Sequence, residues 1–376
     1  MKKSVAFGLV VFLGMVMSVG SVGAQPIKIG VIFPFTGQMA VYAEDARRAL
    51  DFASDEINGA GGIKGRKVEF IYEDDTGTPK GGVAAAQKLI EINNVDAIIG
   101  CLFSSVVLAV KPIVTEKKVV LVAPMASNPD VYAGTRYIFS LTPTDNDNCY
   151  VNAKYCRQVL GRKTLGTLFM LNDSGISSDR YIAQWWERFG GKVLVRENFT
   201  PGATDFRTQL TKIREASPDT IFIHVTWREG VKVLKQIAEM DLKMHVTANS
   251  QVNEPKLLEL GGESTEGLTF TTAYVGDRPE DKEVKEKYEK AFTARYKQPP
   301  AIVGWNTYDC ARVLFEAMKR GGTRGDSLRN EMAKLNIPGA FGRIWFREDG
   351  SPIKDVEMFV VKNNKFVKLN FIDHAP

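Results

Sequence analysis

Ile27-Lys28-Ile29-Gly30-Val31-Ile32-Phe33, closed by Pro34, is a run of β-branched residues that reads as a strand. Just beyond it, Ala46, Ala49, Leu50, Ala53 and Ile57 recur at the 3.6-residue spacing of one helix face, and Gly59, Gly61 and Gly62 stop that helix. The pair then repeats. Val68 to Tyr72 is a strand and Val83 to Ile92 a helix; Val95 to Ile99 is a strand and Ser104 to Thr115 a helix; Val119 to Val122 is a fourth strand. This βαβα order predicts a parallel sheet covered by helices on both faces.

The alternation restarts after Thr142-Pro143. A helix is expected from Asp145 to Leu160, then strands at Thr164–Leu171, Lys192–Glu197, Asp219–Val225, His245–Ala248 and Gly267–Thr272, with helices at Tyr181–Phe189, Phe206–Ala216 and Val231–Met240 between them. Long helical patterns follow at Glu280–Tyr296 and Thr307–Lys319, and strands return at Arg343–Phe346 and Val356–Val361. The expectation is an α/β protein with two sheets in series.

At the other end, Met1-Lys2-Lys3 precedes an apolar run from Val5 to Val19 and the small-residue stretch ending Val22-Gly23-Ala24. This is the layout of an export signal cleaved after Ala24, with an uncleaved anchor as the alternative. No cysteine follows the run, so no lipid anchor is expected. About 350 residues remain, too many for one ordinary core and suited to two lobes. The charged fraction of 25% and the hydrophobic fraction of 44% are those of a globular protein. The net charge of +5 includes Lys2 and Lys3, and no basic block gives a nucleic-acid footprint. Cys101, Cys149, Cys156 and Cys310 do not form a disulfide framework. Cys149 and Cys156 are about two helical turns apart, roughly 10 Å, too far to bridge. A Cys101–Cys310 pair stays open beside buried free thiols. His224, His245 and His374 lack metal-ligand spacing.

Ligands of open parallel sheets sit beyond the carboxyl ends of the strands. The sharpest such turn is Ile98-Ile99-Gly100-Cys101-Leu102-Phe103-Ser104-Ser105, where unpaired N–H groups at a helix start suit a carboxylate. The alternative is that Ser104 or Ser105 only caps the helix. The next turn, Ala123-Pro124-Met125-Ala126-Ser127-Asn128, sets Ser127 one strand along, with a local cap again the alternative. Asp74-Asp75 reads as a solvated strand end or cap. Trp185 and Trp186 read as packing, and Trp227 as either packing or a ligand wall. No Gly-x-Ser-x-Gly elbow or Walker loop is present, so neither an enzyme nor a cofactor is expected.

Several stretches together resemble the periplasmic solute-binding proteins of branched-chain amino acid ABC transporters: Lys28-Ile29-Gly30-Val31, Thr36-Gly37 through Tyr42, Asp55-Glu56-Ile57-Asn58-Gly59-Ala60-Gly61-Gly62-Ile63-Lys64-Gly65-Arg66-Lys67-Val68, Asp74-Asp75, Ile98 to Ser105, Ala123 to Ser127, and Phe341-Gly342 to Gly350. The resemblance implies a type I periplasmic binding fold. Two Rossmann-like lobes with parallel sheets would be joined by three hinge crossings, near Leu141–Asp145, Thr272–Val275 and Gly350–Asp355. Lobe 1 would comprise residues 25–143 and 274–351, and lobe 2 residues 144–273 and 352–376. A small solute, a carboxylate or amino acid, would bind between lobes that close on it by the hinge motion of periplasmic binding proteins. The closed, monomeric form would dock on a membrane permease in the periplasm. A ligand-sensing module of the same fold is the alternative.

By the same resemblance, Ser104 takes the ligand carboxylate, Met125 contributes its backbone, Ser127 is a donor and Tyr42 covers the ligand. The second lobe departs from the pattern. Ser174 stands where an aromatic residue would be, Thr226-Trp227 replaces a tyrosine, and Ser250 occupies the place of the acid that neutralises a ligand ammonium. Glu229 or Asp173 is left as the substitute acid. Since a buried ammonium without a partner charge costs several kcal/mol, the expected ligand is a small carboxylate that need not be an α-amino acid.

Overall fold

The computed structural model describes residues 25–274 and 279–375. The expected export signal and Val275 of the second crossing lie outside them. In the first lobe, β1 (Ile27–Phe33), β2 (Val68–Asp74), β3 (Ala97–Gly100), β4 (Val120–Ala123) and β5 (Ile138–Ser140) form an all-parallel sheet in the order β2-β1-β3-β4-β5. The order reverses between β1 and β3, so the carboxyl ends of those two strands border the crevice where such sheets hold ligands, and the β4 end lies one strand along.

In the second lobe, β6 (Thr164–Met170), β7 (Lys192–Phe199), β8 (Thr220–His224), β9 (His245–Ala248) and β10 (Thr269–Ala273) are parallel. A two-residue pair, β11 (Asn336–Ile337) with β12 (Ile344–Trp345), stands apart. β13 (Val356–Lys362) and β14 (Lys365–Asp373) extend the second sheet antiparallel, giving β14-β13-β10-β9-β8-β6-β7. The second sheet is therefore mixed, not purely parallel.

Each sheet buries both faces. On the first, Ile29, Val31 and Ile99 pack with Tyr288, Phe292 and Leu314 from helices Pro279–Tyr296 and Ile302–Arg320, while Ile32, Ile98 and Leu121 pack against the Ser104–Glu116 helix on the other face. On the second, Ile221 and Ile223 face the Arg207–Ala216 and Trp227–Glu239 helices. Leu165 and Phe222 face the helices that start at Asp145 and Asp173. Trp185 and Trp186 belong to that last cluster, and Trp186 is fully buried.

The chain crosses three times between the lobes: after β5, after β10, and between β12 and β13. The first crossing ends in a capping box. Thr144 Oγ1 accepts from Asp147 N, and the Asp147 carboxylate accepts from Thr144 N, fixing the start of the Asp145–Lys154 helix. All four cysteines are buried and free, so Cys101 and Cys310 are not paired.

Two glycines are demanded by geometry. Gly100, at the end of β3, has φ +132°, and a Cβ there would lie 2.2 Å from the Ile32 carbonyl oxygen. Gly62 has φ +77°, and its Cβ would fall 2.1 Å from the Arg66 carbonyl oxygen, inside the tight return that pairs Ile63 with Arg66.

Candidate functional site

The strand ends of the two lobes meet. Phe103, not a serine, is the N-cap of the Ser104–Glu116 helix, and it makes no side-chain cap bond. Ser104 is instead buried at the first helical position. Its Oγ accepts from Asn128 N at 3.3 Å and so ties the β3 tip to the β4 tip. Ser140 Oγ donates to Ala126 O at 2.9 Å, and Asp145 N donates to Ser127 O at 2.8 Å, which fixes the β4 tip to the first crossing.

From the other lobe, the Asp173–Arg188 helix presents Ser174, its start held by Asn172 Oδ1 accepting from Gly175 N at 2.7 Å. Ser127 Oγ and Ser174 Oγ are 3.1 Å apart, and Asn128 Nδ2 donates to Asp173 O at 3.3 Å. These two hydrogen bonds bridge the lobes. Behind them lies a small enclosed cavity. Ser127 faces it from the first lobe, and Asp145 and Asn148 from the crossing helix. Ser174, Ser178, His224, Asn249 and Ser250 face it from the second lobe. Its free space is about 20 Å³, against roughly 10–15 Å³ needed for one water. The lobes stand closed, and a solute enters only if they part.

Asp145 dominates the electrostatics. Burial pushes its carboxyl up to about 6, against the pull of the nearby Ser127, Ser177, Ser174 and Ser178 hydroxyls. Its Oδ1 accepts from Ser174 Oγ at 3.1 Å, while its buried Oδ2 has no hydrogen-bond partner. His224 Nε2 is 3.2 Å from the same Ser174 Oγ, and burial lowers the imidazole to about 4, so it is neutral near pH 7.

The structure thus brings Ser127, Ser174 and Ser250 to one cavity and places Ser104 one hydrogen bond behind it. Met125 and Tyr42 sit elsewhere, half-buried against the first-lobe core, with Met125 Sδ 3.2 Å from Asn306 Nδ2. Trp227 opens its helix half-buried on the second-lobe core, flanked by the cationic ends of Arg228 and Lys256. Neither substitute acid lines the cavity. Glu229 is bound to Thr226 Oγ1, and Asp173 offers its backbone to Asn128. Asp74 and Asp75 serve as local caps, accepting from Phe35 N and Gly77 N. Asp145, His224 and Asn249 are what residue-by-residue reading missed. The signal for Asp145 was its place as the first helical residue after Thr142-Pro143-Thr144, where the chain changes lobes.

Two closed α/β lobes, three crossings and a polar cavity at facing strand ends define a bilobal solute-binding protein. A family profile described as periplasmic binding protein matches residues 26–365, and the chain belongs to that family. It is 27% identical over 341 residues to the Leu/Ile/Val-binding protein homolog 3 of Brucella melitensis, covering 88% of this chain and 90% of that one. Among solved structures, a leucine-binding protein of Thermotoga maritima superposes with a TM-score of 0.81 at 28% identity, covering 93% and 98% of the two chains. A solute-binding protein of R. palustris in complex with benzoate shares the fold at a TM-score of 0.78 and 20% identity, over 92% and 95% of the chains. Among the described residues, no helix is long and apolar enough to cross a membrane, and no group of three or more His, Cys, Asp or Glu could hold a metal.

Proposed function

We propose that this chain is the periplasmic substrate-binding component of an ABC importer of the branched-chain amino acid type. It captures a small carboxylate-bearing solute between its lobes and delivers it to a membrane permease without chemical turnover. The observation that carries this is the cavity enclosed by strand ends of both lobes and latched by the Ser127–Ser174 contact. The relatives named for leucine, isoleucine and valine support it.

In this reading residues 1–24 are removed after Ala24, and the mature chain acts as a monomer. Lobe 1 is residues 25–143 with 274–351, and lobe 2 is 144–273 with 352–376. Ser127 and Ser104 donate to the carboxylate, aided by helix-start N–H groups and the Met125 backbone. Ser174 and Ser250 line the opposite wall, and Tyr42 and Trp227, which lie outside the closed cavity, cover the solute as the lobes part and reclose.

Isothermal titration against amino acids and simple carboxylic acids tests the proposal. Saturable binding of at least one such acid, with no product formed on prolonged incubation, is the expected result. Binding of none of them, or binding confined to uncharged solutes, removes it.

A further inference from the structure

Away from the solute cavity, one charge pair spans the two lobes on the hinge side. Asp147, in the Asp145–Lys154 helix, is buried on the second lobe, where Cys149 and Val151 of the same helix pack with Phe222 and Val356. Its Oδ2 accepts from Thr144 N at 3.0 Å and from Thr144 Oγ1 at 2.6 Å, inside the capping box. Its Oδ1 faces Arg347 Nη2 at 3.8 Å, an ion pair longer than a hydrogen bond. Burial raises the carboxyl, and Thr144 and the Arg347 guanidinium pull it back.

Arg347 belongs to the other lobe. Its neighbour Phe346 lies in the first-lobe core, with its ring 5.0 Å from the Phe139 ring. Arg347 N donates to Ser351 O at 2.8 Å and Gly350 N to Arg347 O at 3.0 Å, which folds residues 347–351 into a tight hairpin. Arg329, from the Gly325–Ala333 helix, holds the Glu348 carbonyl of that hairpin. Arg347 Nη1 donates to Pro352 O at 2.6 Å, which aims the guanidinium. The hairpin thus travels with the first lobe, and Asp147 with the second. Tyr132, also from the first lobe, sets its buried phenol near Asp147 and Asp349. Neither Arg347 nor Asp147 is among the residues lining the cavity.

Resting on the function proposed above, we infer that Arg347 positions the lobes for closure: it neutralises Asp147 across the hinge in the closed arrangement, and so sets how tightly a solute is held without touching the solute. A buried carboxylate that loses its partner charge is strongly unfavourable, whereas a neutral pair in the same place is not. When the first lobe swings away, the hairpin goes with it, and water reaches Asp147 in place of the guanidinium. The closed form therefore needs Arg347 more than the open form does. Removing it lowers the fraction of chains that close, and the apparent affinity falls in proportion.

The test reads closure directly. Val41→Cys on the first lobe and Ile176→Cys on the second, at positions 62% and 52% exposed, take spin labels, while the four native thiols are buried. Arg347→Gln keeps a donor for Pro352 O and loses the charge. Pulsed electron paramagnetic resonance on the mature chain should show this variant shifted to longer label-to-label distances than the parent. Arg347→Lys, which keeps the charge, should stay close to the parent distribution. Adding Asp147→Asn to Arg347→Gln should bring the short distances back, because no buried charge is left to neutralise. A purely structural role of Arg347 would not respond to that second change. In titration calorimetry with L-leucine and with benzoate, Arg347→Gln should weaken whichever of them binds by about tenfold, and the double variant should return to within about threefold of the parent. Identical distance distributions with and without Arg347 overturn the inference, as does a double variant as open as Arg347→Gln. Failure of every acid to bind removes the proposed function, while the label distances still decide the role of Arg347.

Discussion

Asp145 should make the unliganded protein less stable than it needs to be. Its carboxyl is raised from 3.8 to about 6 by burial, a shift of about two units, or about 3 kcal/mol of penalty on the charged form at neutral pH. The sign follows from proton linkage. Between pH 4 and pH 6 the folded chain holds the proton more tightly than the unfolded chain, so this group's contribution to stability falls as pH rises through that window. Asp145→Asn keeps the acceptor for Ser174 and removes the charge. It leaves an amide Nδ2 where Oδ2 has no partner, at a cost of about 1–2 kcal/mol. The net expectation is a variant more stable than wild type by about 1–2 kcal/mol at pH 7.5, with the advantage gone by pH 4.5. Urea unfolding of both proteins at the two pH values measures it. Asp45 and Asp75 are also raised to about 6 by burial, but their effects are common to both proteins and cancel in the difference. A variant less stable than wild type at pH 7.5, or a difference that does not change with pH, would refute the assignment of a strained buried charge.

Three further outcomes are expected. Ser104→Ala should weaken solute affinity by about 1.5–3 kcal/mol in titration calorimetry, and it should cost about 1 kcal/mol in unfolding because Asn128 N loses its acceptor; unchanged affinity removes Ser104 from the site. Gly100→Ala should lose at least about 3 kcal/mol or fail to accumulate folded, since its Cβ meets the Ile32 carbonyl at 2.2 Å and its φ of +132° is strained for alanine; a melting temperature near wild type contradicts that geometry. All four thiols should resist a thiol reagent in the native protein and react on unfolding, because each is buried and unpaired; rapid native labelling would show one of them to be accessible.

Much of the fold was legible because the first sheet obeys local rules. β1, β2, β3 and β4 announce themselves as short β-branched runs, and the Gly100 turn shows as a glycine between an apolar strand and paired serines. Short or context-dependent elements did not show. β5 has three residues, too few to give an alternation. The Pro79–Gln87 helix begins before the expected Val83 because Thr78 accepts from Gly81 N and Pro79 fits the first turn. The sequence Pro-Lys-Gly-Gly alone suggests a turn there. β14 alternates mostly polar residues at the sheet edge. Its true signal was Asn363-Asn364, both with φ above 50°, the pair a tight hairpin asks for.

The site was legible in its first lobe and less so in its second. Ser127 and Ser104 follow from strand ends one position apart in a parallel sheet. The family resemblance points to an acid near Ser250, on the β9 end, whereas the fold supplies one from Asp145 on a helix start at the lobe crossing. Linear spacing does not bring those two positions together; only the packing of the Asp145 helix onto the second sheet does. The same holds for His224, which ends β8 and reaches Ser174 from a strand away.

A crystal structure of the mature protein with its solute is the sharpest check on how this cleft works. The molecule should lie between the lobes, its carboxylate within hydrogen-bond distance of Ser127 and the first-lobe tips, in place of the Ser127–Ser174 contact. A solute bound outside the cleft, or one whose carboxylate faces the second-lobe wall, would overturn that arrangement.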